Sequence, residues 1–266
     1  MRLTIIQTNP VFGKIRENVS SAISQMNQLC ADLFVLPELF NTGYNFSSQK
    51  EIELLSENPD GFTYEEISRF TKEKNCSCIY GFAERAQSED KRIQYYNSSA
   101  FVGPNGLIGI YRKVHLFNRE NIFFTPGNFG FPVFDSPFGK IGMMICFDWY
   151  FPESARTLAQ KGALLIAHPS NLVMPHCPDA MVTRCLENRI FAATANRVGV
   201  ENMGDVSLRF IGKSEIVTPR GEILIRLGEQ EAESAVVDIN LSEAQNKRLN
   251  EYNDIFEGRR TECYSR

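Results

Sequence analysis

The sequence predicts a single domain of the α/β class, in which mixed β-sheets are covered by helices. Strand-like and helix-like segments alternate along most of the chain, but three hairpin turns lie among them, at residues 103–106, 137–139 and 219–221. Hairpins join antiparallel strands, so a purely parallel sheet is excluded. In addition, no repeat, low-complexity tract or Pro/Gly/Ser-rich linker divides the 266 residues.

In the first half of the chain, short β-branched or apolar runs predict strands, and apolar residues at helical spacing predict helices. Thr63 and Glu66 have the spacing of a capping box at the start of the second helix. The predicted elements are a strand at Leu3–Thr8, a helix at Ile15–Cys30, a buried strand at Leu33–Leu36, a helix at Thr63–Lys74, a strand at Ser77–Ala83, and a hairpin of strands at Asn97–Val102 and Leu107–Leu116.

The second half continues the alternation. Pro152 near the first turn and Gly162 just past the end delimit one helix. The predicted elements are strands at Val133–Phe134 and Ile141–Phe147, a helix at Pro152–Gly162, a buried strand at Ala163–Ala167, a helix at Pro178–Ile190, a strand at Phe191–Val198, a hairpin of Ile211–Thr218 and Gly221–Leu227, a strand at Ala235–Ile239, and a last helix at Leu241–Asn250.

Composition excludes several classes of function. The net charge of −4 argues against nucleic acid as a partner, because such binding depends on neutralising phosphates. The longest uncharged apolar stretches, such as Ile141–Phe147, are far shorter than the roughly 18 residues of a membrane helix, so no membrane partner is expected. The first apolar run reaches Asn9-Pro10 too soon for a secretory signal, and we therefore expect a cytoplasmic protein.

The seven cysteines are odd in number and irregularly spaced, and no C-x-x-C pair occurs. A disulfide framework and a structural zinc site are both disfavoured by this pattern. With only three histidines as further ligands, we expect no metal and no cofactor. Most of the cysteines are interpreted as small buried hydrophobic residues.

Three segments place a reactive side chain at the end of a buried apolar run, where burial is costly unless the group is paired. In the first, Leu33–Leu36 leads through Pro37 to Glu38. The carboxyl ends of strands are where open α/β sheets build their sites, and a desolvated Glu there can act as a general base with a raised pKa. The alternative, a solvent-exposed turn glutamate, is the commoner one for this segment taken alone.

The second segment is Tyr-Arg-Lys-Val-His-Leu-Phe at residues 111–117. If it is a strand, Tyr111, Lys113 and His115 share one face. Lys113 could stabilise a developing oxyanion, although a solvated lysine on an edge strand is the more common arrangement. His115 could be catalytic or bind a metal, but a lone histidine is more often hydrogen-bonded scaffolding.

In the third segment, an apolar strand from Ile141 ends at Cys146 and runs directly into the helix that begins near Pro152. This strand–turn–helix placement is the mechanical idea of a nucleophile elbow. A cysteine near a helix N-terminus has its thiolate stabilised by the helix dipole, and the following backbone N–H groups can serve as oxyanion donors. The alternative is an ordinary buried core cysteine.

Together the three segments resemble the nitrilase superfamily of carbon–nitrogen hydrolases, which carries Glu, Lys and Cys in this chain order. The resemblance runs from Leu3 to about Asn240. The matching motifs are Leu-Pro-Glu-Leu-Phe (36–40), Tyr-Asn-Ser (96–98), Tyr-Arg-Lys-Val-His-Leu-Phe (111–117), Thr-Pro-Gly (125–127), Phe-Gly-Lys-Ile-Gly (138–142), Ile-Cys-Phe-Asp-Trp-Tyr-Phe-Pro-Glu (145–153), Glu-Asn-Arg (187–189) and Asn-Arg-Val-Gly (196–199).

The resemblance implies a four-layer α-β-β-α sandwich with two mixed sheets face to face. It implies that Glu38 is the general base, that Lys113 stabilises the tetrahedral intermediate and that Cys146 is the nucleophile. A second glutamate that orients the nucleophile or substrate is expected at Glu120. It further implies that residues 1–240 form the hydrolase domain, that 241–266 form a C-terminal helix and tail in oligomer contacts, and that the protein is a homodimer or a higher homo-oligomer.

The substrate class follows from the residues after the nucleophile. Nitrile-cleaving members typically continue with Trp-Glu, whereas this chain has Phe147-Asp148, and the spacing from Asp148 to Pro152-Glu153 resembles amidases. We therefore expect a small linear amide or carbamoyl amine as the substrate. Some archaeal-type aliphatic nitrilases share the Phe-Asp-Trp pattern, so a nitrilase acting on a small nitrile is one alternative.

Substrate-binding residues are expected at Tyr44, Trp149 and Asn171, from their positions in loops, and at Phe147, whose backbone N–H would bind the oxyanion. A second alternative function is a Cys–His hydrolase that uses His115 as its base. A third is a catalytically inactive binding protein on the same fold, which has no physical reason to keep Glu38, Lys113 and Cys146 together.

Overall fold

The computed structural model describes residues 1–87, 90–203 and 206–264, which form fourteen strands and six α-helices. The helices are α1 (Ile15–Asn27), α2 (Gln49–Leu55), α3 (Phe62–Lys74), α4 (Glu120–Phe123), α5 (Pro152–Gln160) and α6 (Cys177–Asn188). The strands are β1 (Arg2–Ile6), β2 (Leu33–Val35), β3 (Ser77–Gln87), β4 (Ile93–Gly103), β5 (Gly106–Arg112), β6 (Val133–Ser136), β7 (Gly139–Met143), β8 (Leu165–Pro169), β9 (Phe191–Ala195), β10 (Val200–Met203), β11 (Val206–Arg209), β12 (Glu215–Val217), β13 (Ile223–Arg226) and β14 (Ser234–Asp238).

Two six-stranded sheets contain all of these strands except the β10–β11 hairpin. The first sheet has the order β14-β1-β2-β3-β4-β5 and the second has the order β6-β7-β8-β9-β12-β13. In both, read in these orders, an antiparallel pair is followed by two parallel pairs and then by two antiparallel pairs. The prediction of mixed sheets is therefore confirmed.

The two sheets pack face to face, and helices cover their outer faces. One apolar cluster joins side chains of both sheets, such as Leu3 and Val35 with Met143 and Ala193, and it also includes Leu158 of α5. A second cluster joins the other face of the first sheet to α1 and α3. The result is the expected four-layer α-β-β-α sandwich. Strands β2 and β8 are buried on both faces, which explains their continuous apolar sequences.

Several predicted element ends were wrong. Strand β5 ends at Arg112 and β7 at Met143, several residues before the predicted ends at Leu116 and Phe147. The last predicted helix shortens to a 3₁₀ turn at Leu241–Gln245. Beyond that turn Lys247 leaves the helical path and donates to the carbonyl oxygens of Asn188 and Arg189, at 3.1 and 2.7 Å.

The capping box was also wrong. The cap of α3 is Gly61, and the backbone N–H of Thr63 donates to Glu57 at 3.1 Å, while Glu66 binds Arg69. Helix α2 and the β10–β11 hairpin were not predicted from the sequence. Among the described residues, no helix is long and apolar enough to cross a membrane. The division of the chain at residue 240 stays a prediction.

Candidate active site

Glu38 lies in the turn that follows β2, and its side chain is fully buried. The turn packs so closely on β3 that a Cβ on Gly81 would lie 2.5 Å from the Cα of Glu38, so this position requires glycine. Oε1 of Glu38 accepts hydrogen bonds from Lys113 Nζ at 2.7 Å and from Asn97 Nδ2 at 2.6 Å. Oε2 is equally buried and has no hydrogen-bond partner within residues 1–87, 90–203 and 206–264. Oε1 of this carboxyl group is therefore fixed by two hydrogen bonds, and Oε2 is available to accept a proton.

Lys113 lies one residue past β5 and is fully buried. Its backbone N–H donates to the carbonyl oxygen of Asn97 at 2.8 Å, which continues the pairing of β4 and β5 beyond the last strand residue. Its ammonium group donates to Glu38 and, at 2.8 Å, to Oε1 of Glu120. A buried lysine between two carboxylates thus forms the charged centre of the site.

Glu120 begins the short helix α4 and is 5% exposed. Besides Lys113, Oε1 of Glu120 accepts a hydrogen bond from the phenol of Tyr44 at 2.6 Å. The backbone N–H of Phe117 donates to its Oε2 at 3.3 Å. The structure therefore brings Tyr44, predicted to bind substrate, directly onto the predicted second glutamate.

Cys146 comes three residues after the end of β7 and opens a 3₁₀ helix, Cys146–Tyr150. Its φ of +40° lies in the left-handed region, which is unfavourable for a residue with a side chain and is found at strained functional turns. Asp148 holds the turn, because its Oδ2 accepts the backbone N–H of Ile145 at 2.9 Å and the phenol of Tyr111 at 2.6 Å. The strand–turn–helix geometry expected of a nucleophile elbow is present.

Burial dominates the electrostatics of the site. It raises the pKa of Glu38 to about 7, against the opposing charge of Lys113. Burial alone disfavours the ammonium form of Lys113, but the carboxylates of Glu120 and Glu38 outweigh it and raise the pKa of this lysine above its usual value. The site therefore holds a firmly cationic lysine beside a carboxyl group that exchanges its proton near neutral pH.

The thiol of Cys146 is protonated in this environment. Burial first, and then the charge of Glu38, raise the pKa of Cys146 well above its usual value, although Lys113 and a backbone hydrogen bond from Asn171 act in the opposite direction. Desolvation therefore outweighs the stabilisation of a thiolate that a helix N-terminus can provide. A reaction that used this thiol as a nucleophile would need a base, and Glu38 is the neighbouring group whose pKa suits that role.

His115 does not face Cys146 as a base. Its Nδ1 lies 2.8 Å from Oδ1 of Asp148, and its ring stacks on Phe151 with 3.6 Å between centroids. The phenol of Tyr111 also binds Asp148, whereas the ammonium group of Lys113 binds Glu38 and Glu120. The side chains of Tyr111, Lys113 and His115 therefore do not share one set of partners, as was expected of residues on one face of a strand. This arrangement favours the scaffolding interpretation of His115 over the Cys–His hydrolase.

Two residues of the site were missed or left without a role by sequence reasoning. Nε2 of His168, buried at the end of β8, lies 2.9 Å from the carbonyl oxygen of Cys146, and desolvation lowers the pKa of His168 to about 4. This neutral imidazole supports the backbone at Cys146. Asn97 binds Glu38 through its side chain, and its motif, Tyr-Asn-Ser, was noted without a role.

Two small cavities adjoin the reactive groups. The first, of about 30 Å³, is bounded by Cys146, and the predicted residues Phe147, Trp149 and Asn171 all line it. The second, of about 50 Å³, is lined by the predicted residue Tyr44 together with Glu120, and Phe117 lies between the two. A single water molecule needs roughly 10–15 Å³ of such space, so each cavity has room for only a few heavy atoms.

Comparisons with known proteins agree with this geometry. Residues 2–249 match the family described as carbon–nitrogen hydrolase. A protein named nitrilase from Pyrococcus abyssi is 47% identical, with 100% of both chains covered. An (R)-stereoselective amidase from Pseudomonas is 31% identical over 93% of this chain and 88% of its own. The crystal structure of Saccharomyces cerevisiae Nit3, a member of branch 10 of the nitrilase superfamily, superposes with a TM-score of 0.79 at 25% identity, covering 92% of each chain.

Proposed function

The chain belongs to the carbon–nitrogen hydrolase family and is an enzyme of that class, and we propose that it hydrolyses a small linear amide or carbamoyl amine through a thioester on Cys146, releasing ammonia. The observation that carries this proposal is the buried carboxyl group of Glu38. One of its oxygens is fixed by Lys113 and Asn97, and the other has no partner within the described ranges. A base held in this way can serve a neighbouring thiol.

In the acylation step, Oε2 of Glu38 takes the proton of the Cys146 thiol as the sulfur attacks the carbonyl carbon. The new C–S bond gives a tetrahedral intermediate whose oxygen carries the negative charge. The C–N bond then breaks, and the nitrogen leaves as ammonia with the proton that Glu38 had taken. A thioester on Cys146 remains, and Glu38 is again a carboxylate.

In the deacylation step, the same carboxylate takes a proton from water while the water oxygen attacks the thioester carbon. The C–S bond breaks, the acid leaves, and the sulfur recovers a proton from Glu38. A carbamoyl amine follows the same two steps, but its acyl product is a carbamic acid that loses carbon dioxide to give an amine. Each proton transfer in the cycle thus passes through the carboxyl group of Glu38.

Lys113 is proposed to stabilise the negative oxygen of the tetrahedral intermediates, together with the backbone N–H of Phe147. Its support is the full positive charge of Lys113 in a site without solvent exposure, where charge stabilisation is strongest. Glu120 is proposed to hold Lys113 in place, since it binds the ammonium at 2.8 Å and is itself held by Tyr44.

The acyl group is proposed to occupy the cavity beside Cys146, with Trp149 as a wall and Asn171 as the polar contact. Nδ2 and Oδ1 of Asn171 are both buried and have no hydrogen-bond partner among the described atoms, so a polar group of the substrate would satisfy them. The small cavity volume, about 30 Å³, favours short acyl chains. Replacing Asn171 with Leu, which keeps the volume, should raise KM more than it lowers kcat.

A nitrilase acting on a small nitrile is the second candidate. The observation that favours it is the Pyrococcus abyssi relative, which is named nitrilase and aligns with the whole chain at 47% identity. The position of Lys113 argues against it, because an ammonium group stabilises a negatively charged oxygen better than the nitrogen of a nitrile. The two candidates share the same nucleophile and differ only in the bond attacked.

We also propose a cytoplasmic homodimer or higher homo-oligomer. A reducing compartment suits a chain whose exposed Cys30 and Cys263 are unpaired. The C-terminal segment leaves large side chains uncovered, with Leu249 59% and Tyr252 85% exposed. Contact with a second copy of the chain would bury them.

The deciding experiment is a screen of matched five- or six-carbon amides, carbamoyl amines and nitriles, with ammonia release as the common readout. Peptide mass spectrometry on a slowly turned-over substrate should find the acyl adduct on Cys146. Cys146→Ala should abolish turnover and the adduct, while the matched control Cys185→Ala, at another buried cysteine, keeps both. An adduct on Cys177 or Cys185 contradicts the assignment, and a nitrile kcat/KM tenfold above the others, about 1.4 kcal/mol, establishes the second candidate.

A further inference from the structure

A buried ion pair outside the proposed catalytic groups joins Arg197 and Glu201. Arg197, in the Asn-Arg-Val-Gly motif after β9, is 1% exposed, and Glu201 in β10 is 6% exposed. The guanidinium group also donates to the carbonyl oxygen of Pro10 at 3.1 Å. Removing two charges from water carries a large desolvation cost, so the placement of this pair calls for a reason.

The carboxylate of Glu201 is the anchor of the loop that carries Tyr44. Oε2 of Glu201 accepts the backbone N–H groups of Tyr44 at 3.0 Å and Asn45 at 2.8 Å. The loop fits tightly around it, because a Cβ on Gly43 would lie 2.7 Å from Oε1 of Glu201 and the φ of Gly43 is +80°. The loop position at Tyr44 is therefore set by a side chain 157 residues away along the chain.

Tyr44 connects this anchor to the reactive centre. Its ring packs edge-on against Phe210, with 6.0 Å between centroids, and the guanidinium of Arg197 covers the same Phe210 ring at 4.0 Å. At the other end, its phenol donates to Glu120, which in turn binds Lys113. The contacts thus form one unbroken series from Arg197 to the ammonium group of Lys113.

We infer that Glu201, with Arg197, is a positioning residue of the active site, and that it acts by holding the Tyr44 phenol on Glu120 so that Lys113 keeps its place beside Glu38. The inference rests on the proposed function, because Glu120 and Lys113 take their roles from it. Loss of the anchor lets the loop move and leaves Glu120 without its fixed donor. Lys113 then meets the developing oxyanion from a less favourable position, which affects the rate more than the binding of substrate.

A double-mutant cycle separates this inference from a general loss of stability. The variants are Glu201→Gln, Tyr44→Phe and the two combined, with Glu229→Gln, at an exposed glutamate, as the control. Two readouts are measured: kcat and KM for the best substrate, and the rate at which iodoacetamide alkylates Cys146, followed on the Cys146 peptide. Thermal melts by circular dichroism establish that each variant is folded.

Glu201→Gln is expected to lower kcat between roughly tenfold and 10²-fold, as a misplacement of about 1 Å can do, with KM changed less than about twofold. In the Tyr44→Phe background the same substitution should change kcat by less than about twofold, because the phenol through which it acts is already gone. A full effect retained in that background overturns the inference, and so does a normal kcat for Glu201→Gln alone.

If Glu201→Gln does not fold, the pair Arg197→Gln/Glu201→Gln, which leaves no unpaired buried charge, takes its place in the cycle with the same expected outcomes. The alkylation readout keeps the two hypotheses apart. A wild-type protein that turns over none of the screened substrates contradicts the proposed function. The alkylation rate of Cys146 then still decides the inference. A change in this rate on Glu201→Gln that occurs in the wild-type background and is absent with Tyr44→Phe supports the inference, and the same change in both backgrounds contradicts it.

Discussion

At the scale of single residues, the burial of Glu38 raises its pKa and leads to a pH dependence of the rate. With a pKa of about 7, Glu38 is mostly protonated at pH 5 and mostly ionised at pH 8. Only the ionised form accepts the proton of Cys146. We expect kcat/KM for an amide to rise about tenfold per pH unit below pH 7 and to level off above it, since this parameter reports the free enzyme.

The profile is measured with a neutral substrate, so that the substrate itself does not titrate. Glu38→Gln keeps the shape of the side chain and should leave no measurable turnover at any pH. A rate that does not change between pH 5 and 7, or one that rises only above pH 8, would assign the base to another group.

His115 provides the second prediction at this scale. Its ring binds Asp148 and stacks on Phe151, and Asp148 keeps the Tyr111 phenol and the Ile145 N–H when the imidazole is removed. We expect His115→Ala to keep kcat/KM within about tenfold of the wild type, with a modest loss of thermal stability from the lost packing. A folded His115→Ala protein as inactive as Glu38→Gln would restore the Cys–His hydrolase.

Glu38 and Cys146 were predictable from the sequence because each follows a buried apolar run, and such runs are visible in one dimension. Strand β5 before Lys113 is mostly only partly buried, and the role of Glu120 came from the family resemblance. Asn97 was given no role because it lies inside β4, where only the antiparallel register with β5 brings it to Lys113. The contact between Tyr44 and Glu201 joins two halves of the chain, and no local pattern predicts such a pairing.

At the scale of secondary-structure elements, the strand pair β12–β13 contains a second carboxyl group with a raised pKa. Glu215 is fully buried, and Arg226 holds its Oε2 at 2.8 Å, while Oε1 has no partner among the described residues. Burial raises the pKa of Glu215 to about 7, against the effect of Arg226. The folded protein therefore retains a proton on Glu215 that the unfolded chain releases near pH 4.5.

The sign of the resulting stability change follows from this shift. Because the folded-state pKa is the higher one, the contribution of Glu215 is fully present below pH 4.5 and is lost as the pH rises to about 7. The loss is roughly 3 kcal/mol. Urea unfolding at pH 4.5 and 7 should show a decline for Glu215→Gln that is smaller than that of the wild type by this amount, since the share from Glu38 remains, whereas Glu222→Gln, at an exposed glutamate, keeps the full decline. Equal pH dependence in all three proteins would contradict the buried carboxyl interpretation.

The elements themselves were predicted unevenly. Most strands and long helices of the two sheets were found, because burial on one or both faces produces strong apolar patterns. The β10–β11 hairpin was missed because β11 alternates between partly exposed and exposed positions, and because the buried side chain of β10, Glu201, is charged and gives no apolar signal. Helix α2 was missed although Ser48 caps it by accepting the N–H of Glu51, a signal the sequence does contain.

At the scale of the whole molecule, Lys247 fastens the C-terminal segment to the sandwich. Its ammonium group donates to two carbonyl oxygens at the end of α6. Hydrogen bonds from a charged donor contribute about 1.5–3 kcal/mol. Lys247→Met should therefore lower the free energy of unfolding by roughly that amount and make residues 248–264 more sensitive to chymotrypsin, which cleaves at neither Lys247 nor Arg248.

The matched control is Arg248→Met, whose side chain is 55% exposed and pairs with Glu257 on the surface. Surface ion pairs contribute about 0–1 kcal/mol, so this variant should behave like the wild type. Sedimentation equilibrium on the same proteins tests the proposed homo-oligomer, since a loosened tail should weaken association. Unchanged digestion of Lys247→Met would show that the tail is held by other contacts.

The proposed catalytic side chains come from opposite sheets, with Glu38, Lys113 and Glu120 on segments attached to the first sheet and Cys146 on the second. The connection between them passes through an exposed loop at residues 128–130. A chain cut there yields one fragment with the base and the lysine and another with the thiol, and neither fragment can complete a turnover. Ammonia release from a mixture of the two then measures their reassembly, so that this hydrolase can be used as a split reporter in which each catalytic cycle requires both fragments.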